Sequence, residues 1–269
     1  MFPTVFVACA DDGIGRFDTS QQSLMELFIF GLHKAEDICG SRDDPAEVCT
    51  WKGVECNADG EVTSFGWVSN FFHGAGTIGV QFLPCSLKHL CMYMNSLTGT
   101  IELGDLPEHI IDLLLYSNSL SGTLNLDGLP AEMQNLLLSE NTFTGEISLK
   151  SLPKCLQQLR LGMNKLKGTI CLTSLPSLLI ELSLDGNTFG GSLDLTRLPE
   201  RLESLELSDN FFSGEIDVRH LPQSLEYLDI RNNRLCGTVC TPPGILCWAN
   251  GADTDRLFEG NKDLTVEDP

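Results

Sequence analysis

Residues 106–128 read LPEHIIDLLLYSNSLSGTLNLDG, and residues 129–151 read LPAEMQNLLLSENTFTGEISLKS. With the first Leu counted as position 0, both blocks have Leu at position 7, Asn at position 12 and Gly at position 16. The same 23-residue pattern begins seven times without an insertion, from Leu83 to Leu221. A fixed period of this length indicates a solenoid of stacked repeats.

Each repeat contains two short segments of alternating apolar residues. Positions 7 and 9 point to one face of a strand, because side chains alternate along a strand. Positions 18 and 20 alternate again and predict a second short strand on another side of the coil. One repeat cannot bury its leucines alone, so neighbouring repeats must stack. The period therefore predicts a leucine-rich repeat solenoid with a parallel β-sheet on the concave face, short second strands and turns elsewhere, and an N-terminal capping helix.

An Asn ends the first strand of every repeat. Its short amide side chain can bond backbone groups that the bend leaves unpaired, and stacked copies form a ladder. We interpret these residues as structural: Asn95, Asn118, Asn141, Asn164, Asn187, Asn210 and Asn233.

The chain of 269 residues carries a formal net charge of −20. This acidity argues against nucleic acid and anionic membrane surfaces as partners, since both attract patches of Lys and Arg. No run of 18 apolar residues is present, so no transmembrane segment is expected. A continuous array forms one unit, and we expect a monomer.

Eleven cysteines favour an oxidising compartment. Cys171 and Cys240 share a repeat position but lie three repeats apart, about 14 Å by strand spacing, which is too far for a disulfide. We therefore expect disulfides at the caps and not within the array. The pairing stays open for Cys39, Cys236, Cys240 and Cys247.

The segment before the array is expected to contain a leader or disordered stretch at 1–18 and a helix with a cysteine cap at 19–61. Residues 1–10 are apolar and end in Ala-x-Ala like a signal sequence, but they are short and lack a basic start. Apolar residues at helical spacing predict a helix from Thr19 to about Asp37. A capping box of Thr19 with Gln22, or of Ser23 with Glu26, would begin it.

Residues 49–56 read CTWKGVEC. This segment resembles the N-terminal cap of plant-type leucine-rich-repeat proteins, in which a helix precedes Cys-x-Trp-x-Gly-Val-x-Cys. The resemblance implies a disulfide between Cys49 and Cys56, with Trp51 packed under the cap.

The repeats resemble those of kinetoplastid leucine-rich-repeat surface-type proteins, in which Leu-Pro opens each repeat and Gly-Thr-Ile/Leu or Gly-Glu-Ile follows the Asn. Plant repeats usually carry Pro at position 19, where this chain never has it. The resemblance covers about residues 20–241 and implies a binding role, with no catalytic residues.

Both ends of the array depart from the pattern. Residues 62–82 form a degenerate first repeat, in which Phe65 and Trp67 replace strand leucines and Asn70 takes the Asn position. The seven regular repeats occupy 83–241. Pro242 and Pro243 then stop the register, and we assign 242–269 to a C-terminal cap and an acidic tail, loosely ordered from about residue 251.

No motif in the sequence predicts catalysis. There is no phosphate-binding Gly loop, HExxH or GxSxG, and the five histidines lack a nucleophile at a recognisable spacing. We expect no enzyme activity, cofactor or metal. The favoured function is binding of a protein or peptide through the concave sheet; a structural or surface-coat solenoid and a hydrolase inhibitor are the alternatives. A secreted or cell-surface location is favoured by the cysteine cap, and an intracellular one stays open because no complete signal peptide is present.

The outward positions of the concave strands change character along the array. The first repeats place apolar and aromatic residues there, and later repeats place polar and acidic ones. An exposed apolar patch rimmed by polar groups is typical of an interaction site, and Tyr is enriched at binding hot spots. The alternative is that the N-terminal cap or its loop covers the patch. The predicted partner-binding residues are Cys91, Tyr93, Leu114, Tyr116, Leu137 and Arg160.

Overall fold

The computed structural model describes residues 20–69, 75–240 and 258–267. These form a leucine-rich-repeat solenoid built around two sheets whose strands alternate along the chain. The leucines of positions 7 and 9 fill the space between the sheets, and most of them are fully buried. The fold predicted from the period is confirmed.

The concave sheet contains nine strands within the described residues. They are β1 (Val54–Cys56), β2 (Val62–Gly66), β3 (His89–Cys91), β5 (Asp112–Leu114), β7 (Asn135–Leu137), β9 (Gln158–Arg160), β11 (Glu181–Ser183), β13 (Ser204–Glu206) and β15 (Tyr227–Asp229). β1 pairs with β2 in antiparallel fashion, and all later pairs are parallel and in register. Equal repeat lengths explain this register, because each turn of the coil advances by one strand.

The second sheet contains eight strands in the described part of the chain. They are β4 (Thr98–Thr100), β6 (Ser119–Thr123), β8 (Thr142–Glu146), β10 (Lys165–Thr169), β12 (Thr188–Gly191), β14 (Phe211–Glu215), β16 (Arg234–Cys240) and β17 (Asp263–Glu267). The Gly at position 16 lies in these strands with positive φ, for example 89° at Gly145. A Cβ on Gly145 would stand 2.9 Å from the Thr123 methyl group of the preceding repeat. Glycine therefore lets that methyl group pack onto the backbone.

The asparagine ladder joins the repeats. Asn141 Nδ2 donates to the carbonyls of Leu115 and Leu138 at 3.0 and 3.1 Å, and Asn141 Oδ1 accepts from Leu120 N at 2.9 Å. The same pattern recurs from repeat to repeat, and most of these amides are buried. Each side chain thus satisfies backbone groups of two repeats, which an apolar residue could not do.

The C-terminal end departs from the sequence-based expectation. The sequence predicts a loosely ordered tail from about residue 251, but residues 258–267 continue both the ladder and the second sheet. Asn261 Nδ2 donates to Ile230 O at 3.1 Å, Asn261 Oδ1 accepts from Leu235 N, and β17 pairs with β16. The unmatched residues between Cys240 and Phe258 break the 23-residue period and hide this last turn from a search for repeats.

The N-terminal cap also differs from the prediction of one long helix. α1 spans Gln21–Ile29 and begins at Ser20, whose hydroxyl accepts from Ser23 N at 3.2 Å, and α2 spans only Glu36–Cys39. Neither proposed capping box begins α1, and Thr19 lies outside the described residues. The helix stops near Gly31 because the backbone there pairs with residues 75–77; a Cβ on Gly31 would stand 2.3 Å from the Thr77 hydroxyl.

The cap covers the first repeat. Phe28 of α1 packs edge-on against Phe65 of β2, with ring centroids 5.9 Å apart, and Trp51 is buried with its Nε1 donating to Ala46 O. Cys49 and Cys56 form a disulfide, with Cα atoms 5.7 Å apart.

Cysteine pairing within the array corrects one expectation. Cys85, in the turn that opens the first regular repeat, is disulfide-bonded, so the expectation of no disulfide within the array is wrong there. This turn adjoins the degenerate first repeat, where the array meets the cap. Free thiols belong to Cys39, Cys91, Cys155, Cys171 and Cys236. Of the cysteines whose pairing the sequence leaves open, Cys39 and Cys236 are therefore free thiols, and Cys247 lies outside the described residues.

Candidate functional site

The in-register strands of the concave sheet line up its outward side chains in columns. Position 8 runs through Cys91, Leu114, Leu137, Arg160, Ser183, Glu206 and Asp229, each directly paired with the next. Position 10 runs parallel to it, from Tyr93 to Arg231. The six residues predicted to bind a partner therefore form one contiguous surface, because they occupy adjacent repeats in these two columns.

The N-terminal half of this surface is apolar. The rings of Tyr93 and Tyr116 are stacked, with centroids 4.4 Å apart and planes 8° from parallel. Cys91 and Leu114 are half-buried beside them, whereas Leu137 is only 8% exposed. Burial, with the neighbouring Tyr93, raises the pKa of Tyr116. We call Cys91, Tyr93, Leu114, Tyr116 and Leu137 the apolar half.

Arg160 separates the apolar half from an acidic region. Its Nη2 donates to Glu181 Oε2 at 2.6 Å, and its side chain is 44% exposed while that of Glu181 is 13% exposed. This ion pair compensates the charge of Glu181. It does not include the carboxylates that lie further along the array.

Those carboxylates belong to Asp185 and Glu206, which with Glu181 we call the acidic half. Asp185 Oδ1 accepts from the Ser183 hydroxyl at 2.7 Å. Burial is the main cause of a raised pKa at both residues. The charges of Asp185 and Glu181 add to it at Glu206, whose pKa is about 7, and the charges of Asp229 and Asp209 add to it at Asp185. Beyond them, Asp229 is held by Arg231 through two hydrogen bonds of 2.9 and 2.6 Å.

A cavity of about 260 Å³ lies where the two halves meet, lined among others by Tyr116, Leu137, Arg160, Asp185 and Glu206. Two glycines lie beneath side chains that line it: Gly162 lies beneath Asp185, and Gly186 lies beneath Met163. A Cβ on Gly162 would stand 2.2 Å from Asp185 Oδ1, and one on Gly186 would stand 2.5 Å from Met163 Sδ.

These close approaches show how the two side chains are accommodated. The Asp185 carboxylate lies over the backbone of the preceding repeat, and Met163 lies over the backbone of the next. Met163 is 57% exposed at the rim, and its φ of 53° is the positive φ that position 11 adopts in every regular repeat. The Asp185 carboxylate and the Met163 side chain can lie flat on the neighbouring backbone only because Gly162 and Gly186 have no Cβ.

The first residues of β3, β5 and β7 form a polar cluster of His89, Asp112 and Asn135. His89 Nδ1 lies 2.6 Å from Asp112 Oδ2, and Asn135 donates to the other oxygen of Asp112 at 2.6 Å. Cys91 lies two residues from His89, but burial and the Asp112 charge raise the pKa of the Cys91 thiol. These surroundings disfavour the thiolate, the nucleophilic form of cysteine.

Sequence reasoning found the columns but missed the cavity. The repeat pattern predicts the apolar residues and Arg160 as a partner surface, but it gives the acidic residues of the later repeats no role. The available signal was glycine: Gly162 is unique at position 10 of the seven repeats, and Gly186 is unique at position 11.

Two further observations concern the described residues alone. In these ranges no group of three or more His, Cys, Asp or Glu side chains is arranged to hold a metal ion. No helix there has the length and apolar character needed to cross a membrane.

Comparisons with known proteins agree with this architecture. The family profile described as Leucine Rich Repeat matches residues 224–247, one repeat at the C-terminal end. No curated protein matches the sequence. The chain is thus similar to leucine-rich-repeat proteins in its fold.

Solved structures extend the likeness to most of the chain. A plant ice-binding protein is 19% identical with a TM-score of 0.52, covering 91% of this chain and 94% of its own, and shows the fold alone. The Arabidopsis receptor kinase HAESA, in complex with the peptide hormone IDA and the co-receptor SERK1, is 26% identical with a TM-score of 0.52 over 72% of this chain.

A second HAESA structure, of the ectodomain with an N-terminally extended IDA peptide, is 25% identical with a TM-score of 0.51. The chain spans only 36% of the HAESA ectodomain length in both structures.

Proposed function

We propose that this protein acts by binding a protein or peptide ligand on its concave sheet and not by catalysis. One observation carries the proposal: stacked tyrosines and half-buried apolar side chains lie beside a cavity on the solvent-facing side of that sheet. Aromatic side chains of this kind provide a large contact area at little cost in conformational entropy. The complex of HAESA with a peptide hormone supports a ligand of this class.

The cap does not cover this surface in the described residues. α1 packs against β2 and the turn at Val80–Phe82, on the end of the array and not over its columns. Leu137 offers a ligand little contact area, because only 8% of its surface is exposed. Leu114 and the two tyrosines therefore carry most of the proposed contact.

The disulfides bear on where the protein is located. A disulfide at Cys49 and Cys56 and another at Cys85 support a secreted or cell-surface location, because such bonds persist in oxidising compartments. We propose a monomer, since the sheet surface is then free for a ligand. The absence of Pro at position 19 continues to favour the kinetoplastid surface-type comparison over plant receptors.

The test is capture of ligand by the immobilised full chain from an extract of the organism that makes it. Leu114→Asp, and separately Tyr93→Ser with Tyr116→Ser, should abolish capture of any protein that the wild type retains. Thr100→Asp on the second sheet is the matched control and should capture normally. Circular dichroism and melting temperature establish that each variant is folded. Folded concave variants that capture as well as the wild type would refute the proposal.

A further inference from the structure

The concave sheet has two chemically different halves within a short distance. The apolar half has no charged side chain, whereas the acidic half has Asp185 and Glu206 without a cation within ion-pair distance among the described residues. Arg231 is engaged with Asp229, and Arg160 is engaged with Glu181. Of the acidic half, only Glu181 has an ion-pair partner among the described residues, so Asp185 and Glu206 line the cavity with negative charge that Arg160 offsets only in part.

This charge is placed where it is costly. Burial, with the charges of Asp185 and Glu181, raises the pKa of Glu206 to about 7, and burial, with the charges of Asp229 and Asp209, raises the pKa of Asp185. Gly162 and Gly186 give the Asp185 carboxylate and Met163 room to lie flat. Local arrangements that cost stability are expected at functional sites, and a cationic side chain from a ligand would relieve the repulsion.

The register fixes the distance between the two halves. Leu114 and Tyr116 belong to the second regular repeat and Asp185 to the fifth, so three strand spacings separate them. At about 4.8 Å per spacing the separation is about 14 Å. An extended peptide covers that distance in about four residues, at about 3.4 Å each. Residues four apart in an extended chain also point to the same face.

We propose that the concave sheet binds an extended peptide segment that runs across the strands, with an apolar or aromatic side chain on the apolar half and a Lys or Arg four residues away in the acidic cavity. This inference rests on the proposed function and specifies its ligand. The peptide crosses the strands and does not extend a sheet edge, so side chains and not backbone pairing determine its recognition. Arg160 lies between the two contacts, where it can donate to a carbonyl of the peptide backbone.

Selection from a displayed library of random peptides of about twelve residues tests the inference on the full chain. On the wild type we expect enrichment of sequences with an apolar or aromatic residue and a Lys or Arg four positions apart. On Asp185→Asn with Glu206→Gln, the basic residue should lose its enrichment by about tenfold or more while the apolar residue keeps it.

The control must remove the general attraction between a chain of net charge −20 and basic peptides. Glu146→Gln with Glu215→Gln changes the net charge equally on the second sheet and should enrich the same sequences as the wild type. Both double variants are nearly isosteric with the wild type, and melting curves verify that they fold.

The outcomes distinguish the inference from the function on which it rests. Enriched peptides that lack a basic residue at the four-residue spacing overturn the inference and leave peptide binding intact. If the enrichment of the basic residue falls equally in both double variants, the attraction is non-specific, and this result also overturns the inference. No enrichment on the wild type overturns the inference and peptide binding together.

Discussion

Replacement of Glu206 by Gln should stabilise the protein above neutral pH. Glu206 is partly buried on the concave sheet near Asp185, Glu181 and Asp229, and Arg160, which is paired with Glu181, offsets their repulsion only in part. Its pKa of about 7 exceeds the ordinary value of 4.5 because burial disfavours the charged carboxylate. Gln has nearly the same shape and no charge, so it removes the repulsion without leaving a void.

The magnitude follows from the difference between the two pKa values. At about 1.4 kcal/mol per pH unit, the difference corresponds to about 3 kcal/mol as an upper bound. The side chain is not fully buried, and solvent screening reduces the expected gain to about 1–2 kcal/mol. For a chain of this size such a gain raises the melting temperature by about 2–8 °C.

The sign of the pH dependence is distinctive. Below the unfolded pKa of 4.5, folded and unfolded chains both hold the proton, so Glu206 contributes nothing. Between 4.5 and about 7 the folded chain holds the proton more firmly than the unfolded chain, and the wild type loses stability as pH rises. Above 7 the loss is complete and stays constant.

Urea denaturation at about pH 4, 6 and 8 measures this directly for the wild type, for Glu206→Gln and for the exposed control Glu215→Gln. We expect the Glu206→Gln substitution to matter little at the lowest pH and most at the highest, and the control variant measures what the removal of one exposed carboxylate does by itself. Parallel pH profiles for all three proteins would show that Glu206 is solvated like a surface residue, and the reasoning about the acidic half would be wrong.

Other predictions concern the array and its cysteines. Asn164→Ala should lower the free energy of unfolding by about 1–3 kcal/mol, because it leaves buried carbonyls and the Phe143 N–H unpaired; a loss of a few tenths in urea denaturation would contradict this. Gly145→Ala should destabilise the protein more than Gly60→Ala in the same assay. Both glycines have positive φ, but only a methyl group added at Gly145 would meet Thr123. Equal losses of stability would show that the contact with Thr123 does not matter. Thiol labelling of the unfolded, unreduced chain should modify Cys91 and Cys155, and the disulfide assignment would be wrong if the bonded cysteines were modified as well. The bonded cysteines are Cys49, Cys56 and Cys85.

The period of the sequence determined most of the fold. Equal repeats of 23 residues can stack only in register, and the Asn at position 12 has a side chain that bonds backbone groups of two repeats. These features are local and recur in every repeat, so the sequence alone predicts that Leu114 and Tyr116 lie in two parallel columns of outward side chains.

Features that depend on contacts between distant segments could not be read in this way. The break after Ile29 arises because Gly31 meets Thr77, a contact that the helical pattern of the cap does not reveal. The last ladder residue, Asn261, follows unmatched residues that break the period.

The cavity was hidden for a different reason. Two of its lining side chains, Asp185 and Met163, lie over Gly162 and Gly186 because these residues have no Cβ, and glycine in a loop-rich array also fits a turn. The pKa of Glu206 depends on neighbours in adjacent repeats, and only the three-dimensional register brings these together.

Site-specific photocrosslinking tests most directly whether the concave sheet is the ligand surface. p-Benzoylphenylalanine would replace Tyr116 or Arg160 on the concave sheet, and Thr100 or Glu215 on the second sheet, in otherwise identical full chains. After irradiation in an extract of the organism that makes the protein, we predict a discrete crosslinked product from the concave positions and none from the second sheet. Products from the second sheet alone, or equally from both surfaces, would contradict the assignment of the concave sheet as the binding surface.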